Sequence, residues 1–469
     1  MIRALLMSKP AMTAATAVTL TDMAQDQTVL QRVGISKAVS FSGTSNGSHV
    51  TLEAVDAVTG IAVAASGRIR VNGGVFIGSV LVPQGAWYKL KVKDCVTPAV
   101  AATGSNKFGV GVVVGLIGQS NMAGFKTSEG AYPLGSSLAI EYEAGVFRRL
   151  GNVNDAYAPN TLSPVYTAYT TPGNRGDGTV FFANNLSSAL GNVPVCVVNR
   201  AQNGTSIAQW QAGQTSFTTF TAAVAAVGDM EACLWLQGES NAAATSKASY
   251  KTSLGQLHAN LLTATGRSAS NFKFGVISLG PGSFSGSIEG DFGKIRAAHV
   301  EYTDETTGAF YVTGAHDNFA SDGVHIEHTG HGRLGKRYAA SLAGALNSQN
   351  KSGPRIASAT RSGSTITLTV EHRGGTALAN GGGGTSGALS GFQVLDGAAV
   401  ATITAANIAS ANSITLTLSA VPSGVVTVSY AMQNFPHGTA SAVDLTTAVY
   451  DNQATPMLLQ PLQSVVVAS

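Results

Sequence analysis

Apolar and polar positions along this chain follow three rhythms in succession. From about Lys37 to Lys93 they alternate over short runs, as in HVTLEAV, GRIRVNG and WYKLKVKD, with Gly, Asn and Pro at the breaks. A period of two puts every second side chain on one face of a strand, so the region predicts short antiparallel strands and a β-sandwich. Near Phe108 the alternation stops. Continuous apolar runs take over, GVVVGLI, VPVCVVN, ACLWLQG and FKFGVISL, separated by stretches of amphipathic helical spacing such as SKASYKTSLGQLHANLLTATG. Strands apolar on both faces and alternating with helices predict a doubly wound α/β domain, ending at about Asn350 after RLGKRYAASLAGAL. Beyond Gly353-Pro354 the alternation returns in STITLTVEH and SITLTLSAVPSGVVTVSYA, where Pro422-Ser423-Gly424 is placed to turn a hairpin. The expected organisation is an N-terminal β-sandwich over residues 1–107, an α/β domain over 108–350 and a C-terminal β-sandwich over 351–469. Gly381 to Gly384 reads as a loop tip inside the last of these, and no internal repeat of fixed period is visible.

Composition narrows the partners. A chain of 469 residues exceeds what one hydrophobic core usually organises. Its charged fraction is 11%, against about 25% in an average soluble domain, which implies a neutral, hydroxyl-rich surface. A net charge of +3 without a Lys/Arg cluster gives no footprint for nucleic acid or an anionic membrane. The longest apolar run, FGVGVVVGLIG, is too short and too glycine-rich for a span that needs about 20 apolar residues. At the N-terminus, Lys9 and Pro10 interrupt the apolar stretch of MIRALLMSKPAM, so no secretory signal is expected. Cys95, Cys196 and Cys233 are odd in number and lie in separate segments, which does not read as a disulfide framework. Cys196 and Cys233 read as buried strand residues.

In an open α/β sheet the ligand crevice lies at the carboxyl ends of the strands. Four polar stretches occupy such positions: GQSN after the first strand, NRAQNGTS after VPVCVV, QGESN after ACLWL, and SDGVH ahead of the last helix. Ser120 follows Gly118 and Gln119 where a helix is expected to start at Asn121, so its hydroxyl can face the crevice with backbone N–H groups beside it. Ser and Asn are also ordinary helix caps, and the serine is not in the GxSxG elbow of α/β-hydrolases. Asp322 and His325, three residues apart, can supply an imidazole base and the carboxylate that fixes its tautomer. Two other readings of that loop stay open. It is either a solvated turn, or a metal site drawn from His316, Asp317, Asp322, His325, His328 and His331; the strand-end motifs offer no Cys or His to complete the latter. Gly204 can present its N–H without a side chain in the way, and Gln237 carries an amide donor, so both are candidates for an oxyanion hole with the Ser120 N–H. Gln119, Asn121, Asn203, Glu239 and Asn241 stand next to these groups as substrate or supporting residues. Glu239 reads as a buried carboxylate that positions loops, and Trp210 and Trp235 as core or wall residues.

GQSNMAG, NGTSIAQW, WLQGESN and DGVHIEHTGHGRLGKRYA, in that order, resemble the sialate O-acetylesterase-like branch of the SGNH hydrolases, which includes acetylxylan esterases of carbohydrate esterase family six. The match covers roughly Val110 to Leu346. It implies a flavodoxin-like α/β/α domain that removes acetyl groups from sugar hydroxyls without a metal or other cofactor. By the same resemblance Ser120 matches the nucleophile, His325 the base, Asp322 its carboxylate partner and Gly204 an oxyanion donor. No GxND block is visible, which leaves the third donor open between Gln237 and Asn241. The segment AVYDNQATPMLLQP is distantly similar to the tail of sialate O-acetylesterases.

The resulting expectation is a serine esterase acting on an acetylated carbohydrate, a sialic acid, a xylan or a bacterial surface polysaccharide, with Thr127 to Thr171 among the selecting loops. The alternative is a catalytically inactive glycan-binding or virion fibre protein. Flanking β-modules look like those of phage-tail deacetylases, so homo-oligomer or virion assembly and an extracellular or virion-associated setting are expected.

Overall fold

A computed structural model describes residues 16–124, 136–143, 145–150, 178–284, 286–318, 320, 322–385, 387–439 and 442–468. The N-terminal MIRALLMSKPAM and most of the stretch 127–171 lie outside the described residues. Contacts gather the chain into two compact units, residues up to 28 with 32–110, and residues 29–31 with 111–469.

The first unit is built from the alternating sequences. Ser36–Thr44 pairs antiparallel with Val75–Pro83, and His49–Asp56 lies between Ala62–Arg70 and Gly85–Asp94. Val50, Leu52 and Ala54 are fully buried on the inner face. A Cβ added to Gly78 would stand 2.8 Å from Leu52 Cδ1, so the two sheets press together at that point.

The second unit holds the parallel sheet. Its strands are β1 (Ala101–Gly118, of which the part from Gly111 belongs here), β2 (Ala139–Glu143), β3 (Val146–Arg149), β4 (Val195–Asn199), β5 (Ala232–Leu236), β6 (Lys273–Ser278) and β7 (Ala309–Gly314). Their order is β7-β6-β5-β1-β4-β2-β3, parallel except for the β2–β3 pair. Five of them, β4-β1-β5-β6-β7, have the flavodoxin-like order, and β2–β3 extends the edge. Every residue of β4 and β5 is buried, Cys196 and Cys233 included, which is why both read as continuous apolar runs. The helices are α1 (Ser120–Ala123), α2 (Thr179–Ala189), α3 (Thr215–Val227), α4 (Lys247–Thr265), α5 (Asp291–Glu305) and α6 (His328–Leu346). They pack in two groups, α2 with α6 and α4 with α3 and α5. Among the described residues no helix is long and apolar enough to cross a membrane.

Three features depart from the sequence expectation. Val29–Gln31, inside the expected N-terminal domain, belongs to the second unit, where Gln31 Oε1 accepts the Val113 N–H (2.7 Å). Residues 351–469 do not separate at Gly353-Pro354 but share that unit with the α/β part. Finally, Pro422-Ser423-Gly424 does not turn a hairpin. Ser413–Leu418 pairs with Thr365–Glu371 and Ile403–Ser410, whereas Val426–Tyr430 pairs with Phe392–Asp396 and Leu462–Ala468. The turn chemistry is local, but burial of Leu416 and Val428 in one core sends the two strands to different partners.

His258, His299, His316 and His437 are each at most 3% exposed. Burial pushes their imidazoles down, to about 4 for His258 and His437, to about 3 for His299, and well below the ordinary value for His316. Unfolded, each would take up a proton below about 6.5. The unfolded state then binds more protons, so stability is lost as pH falls from there toward 4, by about 1.4 kcal/mol per pH unit for each histidine. We expect the denaturant midpoint to drop steeply between pH 6.5 and 4.5. A midpoint that stays level across that range would show that these rings are not held neutral.

Candidate active site

The site forms where the strand order reverses, at the end of β1 between β4 and β5. Leu116 is level with Asn199, and Gly118 with Leu236. Gly118 has φ +141° and its absent Cβ would lie 2.0 Å from Leu236 O, so only glycine fits at this exit from the sheet. Gln119 N–H bonds Leu236 O (3.1 Å), and Gln119 O accepts the N–H groups of Met122 and Ala123. Helix α1 therefore starts at Ser120, one residue earlier than expected. Asn199 Nδ2 donates to Met122 O (3.3 Å) and ties this short helix to β4. The sequence reading took Asn199 only as the first residue of NRAQNGTS and gave it no role, although a polar residue closing an otherwise apolar strand was its signal.

His325 stands between the two other expected groups. Its Nε2 is 3.0 Å from Ser120 Oγ, and its Nδ1 is 2.7 Å from Asp322 Oδ2. Asp322 Oδ1 accepts the backbone N–H of His325 (2.8 Å) and of Val324 (3.1 Å). Partial burial works to raise the Asp322 carboxyl, but the His325 N–H, its imidazole and the Val324 N–H outweigh it and hold the group down at about 2. An ionised carboxylate only accepts, so Nδ1 carries a proton and Nε2 of the neutral ring is the acceptor facing the serine hydroxyl.

Asn121 holds this arrangement in register. Its Nδ2 donates to Val324 O (3.0 Å) and to Glu239 Oε1 (2.6 Å), and its Oδ1 accepts the Ile326 N–H (3.0 Å). The residue after Ser120 thus grips the backbone on both sides of His325. Glu239 is 1% exposed; burial pushes its carboxyl up, against the Asn121 hydrogen bond.

Gln237 requires a correction. Its Nε2 donates within a shell of three acceptors, Gln119 Oε1 (3.0 Å), Thr205 O (3.0 Å) and Asn241 Oδ1 (2.8 Å), while its Oε1 accepts from Tyr250 OH (2.9 Å). An amide has two hydrogens, and the side chain is fully buried. Gln237 is a strut, not an oxyanion donor. Asn241 does not replace it: its Oδ1 also accepts the Ile207 N–H (3.0 Å) and its Nδ2 donates to Thr245 Oγ1 (3.0 Å). What this amide network does is fix Thr205, and with it the exposed Gly204 at φ +70°, next to half-buried Asn203. Trp210 and Trp235 are fully buried edge to face beneath it, and Trp210 Nε1 donates to Thr205 Oγ1 (3.0 Å).

The other histidine-loop residues go elsewhere. Asp317 forms a bidentate pair with Arg337 (2.8 and 3.0 Å), His316 is stacked on His437, and the His328 side chain lies outside the described part. Among the described residues no three His, Cys, Asp or Glu side chains gather to hold a metal ion.

Residues 111–344 match the family described as carbohydrate esterase, sialic acid-specific acetylesterase. The chain belongs to this esterase family. It is thereby a carbohydrate O-acetylesterase, and the carbohydrate esterase match spans every site residue named above. A carbohydrate acetylesterase from Xanthomonas citri is similar over 95% of this chain and 99% of its own, at 17% identity and a TM-score of 0.63. A protein from Arabidopsis thaliana (19% identity, 49% and 96% covered, TM-score 0.39) and a family two carbohydrate esterase from Clostridium thermocellum (10%, 67% and 90%, 0.33) are more distant in structure. The first of these likenesses is one of fold and takes in both flanks of the esterase domain. No curated protein matches the sequence.

Replacing Asn121 tests the register it sets. Asn121→Ala retains the side chains of Ser120, His325 and Asp322 but releases the 322–326 loop that carries two of them; a misplacement near 1 Å costs about 100-fold in rate. We expect aryl acetate turnover to fall by that order while circular dichroism is unchanged. Undiminished turnover would remove Asn121 from this role.

Proposed function

We propose that the esterase works through a covalent acetyl-serine intermediate on Ser120 and removes O-acetyl groups from a polysaccharide or sialic acid. One observation carries the reading: a continuous relay from Ser120 Oγ through both ring nitrogens of His325 to an Asp322 carboxylate that stays ionised down to about pH 2. His325 Nε2 takes the hydroxyl proton as Oγ bonds to the acetyl carbonyl carbon. The tetrahedral intermediate then collapses, the bond from carbon to the sugar oxygen breaks, and that oxygen takes the proton from Nε2. In the second half water loses a proton to Nε2 and attacks the acetyl-serine; acetate leaves, and Ser120 Oγ regains the proton.

Backbone groups would hold the oxyanion. The N–H groups of Ser120 and Gly204 bond no acceptor among the described residues, and each donor of this kind lowers the barrier by roughly 3 kcal/mol. Among the described residues nothing lies within 4 Å of where a Gly204 Cβ would be, which leaves room there for a substrate.

The test is Ser120→Ala assayed on an aryl acetate and on acetylated sialic acid, xylan and bacterial polysaccharide, with released acetate measured. Turnover should fall by several orders of magnitude in a folded variant, and a serine-directed phosphonate should label only the unaltered chain. Full activity in the variant would sink the serine mechanism. Acetate released from one class of glycan alone would assign the substrate.

A further inference from the structure

The C-terminal β-strands do more than flank the esterase sheet. The turn that follows Val426–Tyr430 runs into the α/β part at the carboxyl end of β6. There the fully buried Arg296 of α5 donates to five backbone carbonyls. Two belong to the β6 exit, Leu279 O (3.0 Å) and Gly280 O (2.5 Å), and three to the turn, Ala431 O (3.0 Å), Gln433 O (2.6 Å) and Asn434 O (3.3 Å). No carboxylate touches the guanidinium in any of these bonds. Three of the five carbonyl dipoles that offset its charge exist in this geometry only while the turn is seated.

The seat is shaped for the turn. Gly293 of α5 has no Cβ because one would lie 2.0 Å from Met432 O. Ala431 is held at φ 55°, in the left-handed region that a residue with a Cβ rarely adopts. Asn434 closes the joint: its Nδ2 donates to Ile288 O (3.1 Å), and its Oδ1 accepts the Phe292 N–H (3.3 Å). From here the contacts lead to the catalytic loop in two steps. Asn434 O accepts the Gly282 N–H (2.9 Å), and the next residue, Ser283, donates its N–H to Gly323 O (2.8 Å). Gly323 is the residue between Asp322 and Val324. The same loop is tethered upstream as well, where Tyr450 of the strand Val449–Asp451 donates to Asp317 Oδ2 (2.9 Å).

We propose that the C-terminal β-strands are a buttress of the active site, with Asn434 a positioning residue that acts through Gly282 and Ser283 on the loop carrying Asp322 and His325. The inference rests on the proposed roles of Ser120, His325 and Asp322. It distinguishes these strands from a carbohydrate-binding appendage, whose loss or displacement would weaken capture of polymer and leave the chemistry intact.

Three full-length variants test it. Asn434→Ala removes the two side-chain bonds that seat the turn. Gly293→Ala favours the helix locally and wedges the turn outward at Met432. Leu416→Ala opens a cavity in the C-terminal core at a residue that makes none of the contacts above. On an aryl acetate, too small to need a binding module, the first two should lower kcat tenfold or more with KM within twofold. The low-field proton resonance of the His325–Asp322 hydrogen bond should shift or broaden in both. Leu416→Ala should lower the melting temperature and leave kcat and the resonance as they were. Unchanged kcat in a folded Asn434→Ala or Gly293→Ala variant overturns the proposal, as does an equal loss in Leu416→Ala, which would make the effect one of general stability. Should one seat variant fail to fold, the other decides. A Ser120→Ala chain run alongside separates the outcomes: if it retains turnover the serine reading has failed, and if it is inactive while both seat variants are normal only the buttress has.

Discussion

The proposed catalytic geometry depends on one amide. Ser120 and His325 are 205 residues apart in the chain, and the 3.0 Å between hydroxyl and imidazole is set by how α1 meets the 322–326 loop. Asn121 makes that meeting specific because both hydrogens and the oxygen of its side chain are engaged, on Val324 O, Glu239 and Ile326 N–H. Buried at 2% exposure, it cannot exchange these partners for water, and each one left unsatisfied would cost about 1–3 kcal/mol. The constraint runs outward from there. Gly118 brings β1 against β5, Gln119 hangs on Leu236 O, and α1 emerges at an angle fixed by the sheet.

Glu239 has a related part. A buried carboxyl is costly unless it is hydrogen-bonded, and the Asn121 amide is its close partner, so the two stabilise each other's position. The Gln119, Gln237 and Asn241 amides form a second network around Thr205. Neither network needs to touch the reacting atoms. Both hold backbone in place, and backbone N–H groups that are already oriented stabilise developing charge without reorganisation.

Much of this was legible in the sequence. Apolar runs located the parallel strands because those strands are buried on both faces, and strand ends located the polar loops because the α/β topology gathers them. The Asp322–His325 pair was legible because a three-residue spacing lets one turn satisfy it locally. Gln237 was misread for the opposite reason: where an amide points depends on partners such as Gln119 and Tyr250, which no local pattern specifies. The supposed hairpin at Pro422-Ser423-Gly424 failed similarly. Its turn residues are suited to a reversal, but Val428 and Leu416 are claimed by different neighbours in a common core. Asn199 and Gln31 were given no individual role because a single polar side chain in or near a strand carries no periodic signal that says what it will bond.

With only 11% charged residues, the chain nonetheless buries several of them: Arg296, the Asp317–Arg337 pair, Glu239, and Arg148 with Glu141 and Glu143. Ion pairs in the interior are seldom a net gain over well-packed apolar residues, so stability alone does not account for them. Their directionality does. A guanidinium donates only to partners in its plane at set angles, and Arg337 illustrates this by donating to Asp317 from one edge and to Pro456 O through Nε. An apolar contact between the C-terminal strands and the esterase sheet would tolerate sliding by an ångström at little cost. Arg296 and Arg337 do not, and the loop bearing His325 lies between the segments they fix. In a fold whose proposed chemistry requires a hydroxyl, an imidazole and a carboxylate in line, Arg296 and the Asp317–Arg337 pair make that alignment the state in which their buried charge is compensated.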